Sequence, residues 1–210
     1  MTADLARQAA LHRIAERLHG SALVRYPQAA ALPPLVLMTD PARVPDPVAA
    51  AGRLPPGSGV VYRAFGASGA EETARALAEV ARRKGLVLLV GLDWRLARRV
   101  GARGVHLPER LAHRARAVRS AWPSALITAA AHSRSGLARA ARYGADAAFL
   151  SLVFPSASPS AAESLGPLRF AAMARAAALP VYALGGVDEK NAPALVRSGA
   201  VGLAAVGALA

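Results

Sequence analysis

Gly101-Ala102-Arg103-Gly104-Val105-His106, Gly144-Ala145-Asp146-Ala147-Ala148-Phe149 and Gly199-Ala200-Val201-Gly202-Leu203-Ala204 are three versions of one local event. In each, a glycine ends an Ala/Arg/Leu stretch of helical period and an apolar run follows at once. This quasi-repeat reads as an αβ turn used three times. Working outward, five further runs of the same kind appear, giving eight: Leu35–Met38, Val60–Arg63, Leu86–Val90, Gly104–Leu107, Ala125–Thr128, Ala147–Leu152, Pro180–Leu184 and Val201–Val206. Their starts lie 25, 26, 18, 21, 22, 33 and 21 residues apart, room for one crossover helix each, which parallel strands require. The runs are apolar at nearly every position rather than alternating, as strands covered on both faces are. Eight such units in about 200 residues predict an α/β fold, a single (β/α)8 TIM barrel, with residues 1–210 forming one domain.

The intervening stretches carry helix punctuation. Ser68-Gly69-Ala70-Glu71 reads as a capping box opening a helix with Ala74, Leu77, Val80 and Ala81 on one face. That helix closes on Arg82, Arg83 and Lys84 before Gly85. Thr2–His19 reads as an extra N-terminal helix (residues 1–20) with Leu11, Ile14 and Leu18 on one face. The eighth run lies only a few residues before Ala210, so the last barrel helix is expected to be truncated, with the N-terminal helix covering part of the gap.

Composition narrows the functions. There is no Cys, which excludes disulfides, thiolate metal sites and Cys nucleophiles. No apolar run approaches the ~20 residues of a membrane helix, and the N-terminus lacks a basic region followed by an apolar one, so the expected location is cytoplasmic, without membrane association. The net charge of +13 invites a nucleic-acid reading, but 24 of the 26 basic residues are Arg, standing singly or in pairs, and aromatics make up only 5%. A coding bias toward Arg and Ala accounts for that pattern, so any nucleic-acid binding is expected to be weak and not sequence-specific. The expected partner is a phosphorylated small molecule, and a homodimer is compatible with the sequence.

Barrel chemistry sits just past the C-terminal ends of strands. Leu184-Gly185-Gly186-Val187, followed by Asn191-Ala192-Pro193 opening a helix, and Val206-Gly207 after the eighth run form two turns of the kind that bring backbone N–H groups to a phosphate. His132 follows the fifth run and precedes Ser133, a helix cap; it reads either as a structural histidine or as an acid/base group. His106 reads as structural, Asp93 as the N-cap of Trp94-Arg95-Leu96-Ala97, and Asp40 as a turn former. Ser156 and Ser158 lie in a serine-rich loop after the sixth run. Neither Lys84 nor Lys190 projects from a strand, which argues against a Schiff-base aldolase, and no G-x-G-x-x-G follows an early strand.

The ordered set Leu37-Met38-Thr39-Asp40-Pro41, Val60-Val61-Tyr62-Arg63, Val100–Leu107, His132-Ser133, Tyr143–Ala147, Val153-Phe154-Pro155-Ser156, Ala183–Val187, Asn191 and Gly199–Gly202 resembles the thiamine phosphate synthase/thiazole tautomerase (TenI-like) family over residues 35–207. The resemblance implies a (β/α)8 barrel binding a thiazole phosphate at Gly185, Gly186, Val206 and Gly207, with Arg63, Ser156 and Ser158 as further substrate contacts. The synthase joins a pyrimidine diphosphate to thiazole phosphate with Mg²⁺ and loss of pyrophosphate. Here its Gln-x-Arg-x-Lys motif reads Val61, Arg63 and Phe65, its metal carboxylates fall on Leu92 and Leu111, and its Thr-Ser and Lys near the sixth loop read Ser156, Ser158 and Pro159. Leu offers no oxygen to a hard cation. The pattern therefore resembles the tautomerase branch, which isomerises a thiazole carboxylate phosphate with no cofactor, through a histidine that His132 matches. The alternatives are a divergent synthase holding Mg²⁺ through Asp93 or Glu109, and a non-catalytic binder that keeps the phosphate seat.

Overall fold

The structure, a computed structural model, describes residues 3–64, 66–156 and 163–210. Ser158, Pro159 and Phe65 fall outside the described residues. Eight parallel strands close into one barrel in sequence order: β1 (Leu35–Met38), β2 (Gly59–Tyr62), β3 (Val87–Gly91), β4 (Gly104–Leu107), β5 (Leu126–Ala131), β6 (Ala147–Leu150), β7 (Val181–Leu184) and β8 (Gly202–Ala205). The ladder is shut by β1 pairing with β8, Leu35 opposite Leu203 and Leu37 opposite Ala205. The predicted runs match the strands to within a residue or two at most ends. β5 runs on to Ala131, and β6 ends at Leu150 rather than Leu152.

Seven α-helices are described: α1 (Ala3–Leu23), α2 (Pro47–Arg53), α3 (Ala70–Lys84), α4 (Trp94–Arg99), α5 (Ala115–Ala121), α6 (Arg134–Arg142) and α7 (Gly166–Ala176). Residue parity sorts each strand into two cores. Outward-facing Leu35, Leu37, Val60, Leu88, Val90, Val181 and Leu203 pack with Leu77, Leu137 and Phe170 of the helices. Inward-facing Val36, Met38, Val61, Leu89, Leu126, Phe149, Tyr182 and Ala204 fill the barrel. Phe149 stacks on Tyr182 at 4.6 Å, and Tyr182 Oη donates to Pro33 O at 2.7 Å near the N-terminal end. The interior is therefore packed shut below and opens only at the C-terminal mouth.

Among the described residues β8 is followed by a 3-10 turn, Gly207–Leu209. α1 packs against the barrel beside β1 and β8: Leu11, Ala15 and Leu18 are buried in the same cluster as Leu35, Leu203 and Leu209. Burying one such leucine is worth about 2 kcal/mol. The helix runs to Leu23, one turn beyond the predicted end.

Two local expectations are corrected. The N-cap of α3 is Gly69 in the left-handed region (φ 75°) and makes no side-chain capping bond, so the Ser68 capping box does not form. The helix expected to open at Asn191 is a short 3-10 turn, Ala192–Leu195. There Asn191 spends its side chain on the Gly-Gly turn, with Nδ2 donating to Gly186 O at 2.7 Å. The C-terminal punctuation of α3 holds, with Gly85 left-handed after three basic residues. No helix among the described residues is long and apolar enough to cross a membrane.

Candidate active site

The inward parity of each strand, continued past its end, aims side chains into the mouth, Arg63 after Val61 and His132 after Ala130, and turns the backbone of Gly186, after Leu184, toward it. These residues line a cavity of about 550 Å³ together with Arg43, His106, Ser151, Ser156, Glu163, Val206 and Gly207. The structure thus brings His132, Arg63, Ser156, Gly185, Gly186, Val206 and Gly207 to one cavity, and leaves Asp93 and Glu109 off its lining.

The two Gly turns differ in what demands the glycine. Gly185 and Gly186 both have positive φ, 97° and 65°. A Cβ at Gly186 would stand 2.4 Å from Pro155 O and 2.6 Å from Phe154 O, because the loop after β6 lies directly against the β7 turn. Packing alone therefore requires glycine there. Gly207 is the opposite case: its φ is unexceptional and a Cβ would meet no heavy atom within 4 Å, yet it lines the cavity. Among the described residues nothing asks for a glycine at 207.

On the β1–β2 side, Arg63 Nε donates to Thr39 O at 2.6 Å, and Arg63 N donates to Thr39 Oγ1 at 2.9 Å. Its Nη2 stands 3.6 Å from Asp40 Oδ2, and Arg43 Nη2 reaches the same oxygen at 3.2 Å. Burial pulls the Arg63 guanidinium below its ordinary value, Asp40 opposes the shift and Arg43 adds to it. Burial pushes the Asp40 carboxyl up, but the hydrogen bond and charge of Arg43, with the charge of Arg63, hold it below the usual range. The expected turn at Asp40 is present, with Ala42 N donating to Oδ1 at 3.2 Å, but the residue's larger work is anchoring two cations at the cavity wall.

On the β4–β5 side, Ser133 caps α6 as expected, accepting from Gly136 N at 3.0 Å, and this sets His132 just before the helix. His132 is 63% exposed on its side chain, while Glu109 behind it is only 17% exposed. Glu109 Oε2 accepts from His132 N at 2.8 Å and lies 2.7 Å from His132 Nδ1; Oε1 pairs with Arg139. A carboxylate only accepts, so this contact places the imidazole proton on Nδ1 and leaves Nε2 as the second ring nitrogen. Gly136 makes room for the arrangement, since a Cβ there would lie 2.7 Å from Glu109 Oε1. Sequence reading offered Glu109 only as a spare metal ligand and missed this role. The signal was indirect: a helix opening Ser133-Arg134-Ser135-Gly136 carries a glycine where alanine would be the better former.

His106 is buried as expected, with Nδ1 3.0 Å from Thr128 Oγ1 and its ring edge-on to Phe149 at 5.2 Å. Burial, aided by the Arg63 charge, pushes its pKa down to about 3, so it forms a neutral floor to the cavity.

The residues offered for Mg²⁺ do not fit it. Asp93 caps α4, accepting from Leu96 N at 2.9 Å, and both Glu109 oxygens are engaged by His132 and Arg139. Leu92 carries no donor; it sits at φ 67° with 43% of its surface exposed. Among the described residues no three His, Asp or Glu side chains are grouped to hold a metal. A hard cation needs several oxygens, and these carboxylates are committed elsewhere.

Comparison with known proteins fits this architecture. The family model described as thiamine monophosphate synthase matches residues 57–209. A putative thiamine-phosphate synthase of Geobacter sulfurreducens is 36% identical over 139 residues, 66% of this chain; the chain spans 65% of that protein's length, just under two thirds. The thiamine-phosphate synthase of Thiobacillus denitrificans is 37% identical over 153 residues, covering 71% of this chain and 72% of its own. The solved thiamine phosphate pyrophosphorylase of Pyrococcus furiosus shares the fold with a TM-score of 0.69 at 23% identity, covering 82% of this chain and 84% of that one. On the family match across most of the barrel, this chain belongs to the thiamine monophosphate synthase family.

Proposed function

We propose that this protein is an enzyme of that family which seats a thiazole phosphate in the barrel mouth and moves a proton on it, as a thiazole tautomerase does. The phosphate rests against the backbone of Gly185, Gly186, Val206 and Gly207, and Arg63, beside Arg43, holds the substrate's second anionic group. The observation that carries the reading is the Glu109–His132 contact at the cavity wall. With its Nδ1–H held in a hydrogen bond to Glu109, His132 can take a proton at Nε2 and return it to a neighbouring ring position, and the Glu109 carboxylate stabilises the imidazolium formed in between. The buried, neutral His106 leaves the chemistry to one histidine.

A second reading is favoured by the comparisons: the relatives and the family model are all named for the synthase. In that reading the same seat holds thiazole phosphate and a pyrimidine diphosphate is joined to it, with Arg43 and Arg63 facing the departing pyrophosphate. The engaged Asp93 and Glu109 weigh against it. One assay separates the two. The purified protein is given thiazole carboxylate phosphate alone, or thiazole phosphate with pyrimidine diphosphate and Mg²⁺. Isomerisation in the first mixture is the expected result; thiamine phosphate formed only in the second makes the protein a divergent synthase. Binding of thiazole phosphate with no turnover in either leaves the phosphate seat and removes the enzyme.

A further inference from the structure

The charge of this protein is not spread evenly. Residues 94–145 carry eleven Arg and a single acidic residue, Glu109, for a net +10, while the other 158 residues together carry +3. A coding bias toward Arg acts on the whole chain and cannot make this asymmetry. The segment runs from α4 through β4, α5 and β5 to α6, and its three helices are consecutive on the outer wall of the barrel. Their cations are dispersed along the sequence but gather in the fold. Arg98 of α4 reaches Ala121 O of α5 at 3.5 Å, and Arg116 of α5 reaches Arg142 O of α6 at 3.4 Å, so the three helices lie side by side. Three helix diameters make a face about 30 Å across.

We infer that this face binds the phosphate backbone of single-stranded nucleic acid, without regard to sequence. Ten of the eleven guanidinium-bearing residues are exposed, the exception being Arg119. Arg98, Arg103 and Arg116 reach carbonyl oxygens, which leave the positive charge uncancelled, whereas Arg99 pairs with Glu71 of α3 and Arg119 with Asp146 just past the segment. The one acid of the segment is spent on His132 and Arg139. Two aromatic rings lie among the cations under guanidinium groups, Trp94 beneath Arg95 at 4.6 Å and Tyr143 beneath Arg116 at 5.4 Å. Half-buried rings interleaved with guanidinium planes suit bases, which stack, as well as phosphates, which pair. A membrane surface is the poorer fit. Interfacial helices insert large apolar side chains, and of the described ones that are well exposed only Leu92 adjoins this segment; Val24 and Leu168 lie elsewhere.

The test uses the full chain and a fluorescein-labelled 20-nucleotide oligouridine, followed by anisotropy from about 20 to 200 mM salt. Each phosphate contact adds about −0.7 to the slope of log K against log salt for a single strand. The triple variant R98Q/R114Q/R142Q removes one cation from each part of the face. It should flatten that slope by about 2 and weaken binding at low salt at least tenfold, with an unchanged melting temperature. The control R13Q/R17Q/R53Q makes the same change in net charge on α1 and α2 and should leave both nearly as they were. Equal losses in the two variants would show that net charge alone is at work and overturn the assignment. So would absence of saturable binding at low salt, equally good competition by polyglutamate, or tighter binding to vesicles of anionic lipid that the same triple variant abolishes.

Discussion

Replacing Gly136 by alanine tests the proposed chemistry without touching the cavity. Gly136 is buried in the first turn of α6, and its φ is an ordinary one. Alanine in a helix is favoured over glycine by about 0.8–1 kcal/mol. Against that gain stands the new Cβ, 2.7 Å from Glu109 Oε1 and 2.8 Å from Glu109 Cδ. These are the far end of a flexible side chain, so Glu109 will move and the backbone will not. The displaced carboxylate loses Arg139 and His132, which are half or more exposed. Solvent discounts such contacts to about 0.5 kcal/mol each. Gain and loss nearly cancel, and the melting temperature should shift by no more than about 3 °C. Turnover should behave differently. His132 loses the group that fixes its tautomer, and groups that orient a histidine from behind are worth about 10–100-fold. The assay is isomerisation of thiazole carboxylate phosphate with KM and kcat separated, alongside ¹⁵N NMR of the His132 ring. We expect kcat to fall, KM to hold, and the Nδ1 proton to redistribute toward Nε2. Unchanged ring signals would refute the Glu109 clamp even if turnover fell; unchanged turnover with altered signals would refute its part in catalysis.

His132→Ala should cost turnover by ~10²–10⁴. Thiazole phosphate should still bind by calorimetry, and loss of binding would instead place His132 in the phosphate seat. Gly207→Ala should leave stability within about 0.5 kcal/mol but weaken thiazole phosphate, since its Cβ enters open space at the cavity. Gly186→Ala, with φ 65° and a carbonyl 2.4 Å from the new Cβ, should destabilise by more than about 2 kcal/mol in urea melts. If the two alanines act alike, the distinction between a packing glycine and a ligand glycine fails. His106 keeps its neutral form to about pH 3 when folded but takes a proton near 6.5 when unfolded. Its contribution to stability is therefore complete above pH 6.5 and lost as the pH falls toward 3, by up to about 5 kcal/mol. His106→Gln should remove most of the difference between urea midpoints at pH 7 and pH 4, and an equal acid loss in both proteins would contradict the burial argument.

Much of the fold was legible because its signals are local. Runs apolar at every position mark doubly covered strands, and left-handed glycines at 101, 144 and 199 mark their entries. The packing of α1 on the barrel was legible from Leu11 and Leu18. The errors fell where the backbone chose among short options: Gly69 rather than Ser68 as the cap, and a 3-10 turn after Asn191. At the site, strand ends located His132, Arg63 and the glycine turns, because parity carries past a strand. Glu109 escaped because its partners are 23 and 30 residues away and meet it only through barrel closure. The charge excess of residues 94–145 was legible in the sequence; what the fold adds is that α4, α5 and α6 stand next to one another.

The two halves of the site differ in what holds them. The turns proposed to seat a phosphate are backbone, and the Gly-Gly turn is demanded by packing: the carbonyls of Phe154 and Pro155 lie where any Cβ at 186 would go. Changing that turn costs the fold before it costs the ligand. The positions where the family resemblance implies metal carboxylates are different, since they are side chains on loop ends. Leu92 is 43% exposed, and its backbone at φ 67° is held by Leu92 N to His106 O at 2.8 Å and Asp93 N to Gly91 O at 2.7 Å. A carboxylate could be lost there at no cost to the barrel. Asp93, one residue on, cannot stand in for it, because adjacent residues project in different directions and its oxygen already caps α4. Stability thus protects the Gly185-Gly186 half of the proposed phosphate seat and leaves the chemistry beside it open to change, and in this chain the Glu109–His132 pair occupies that side.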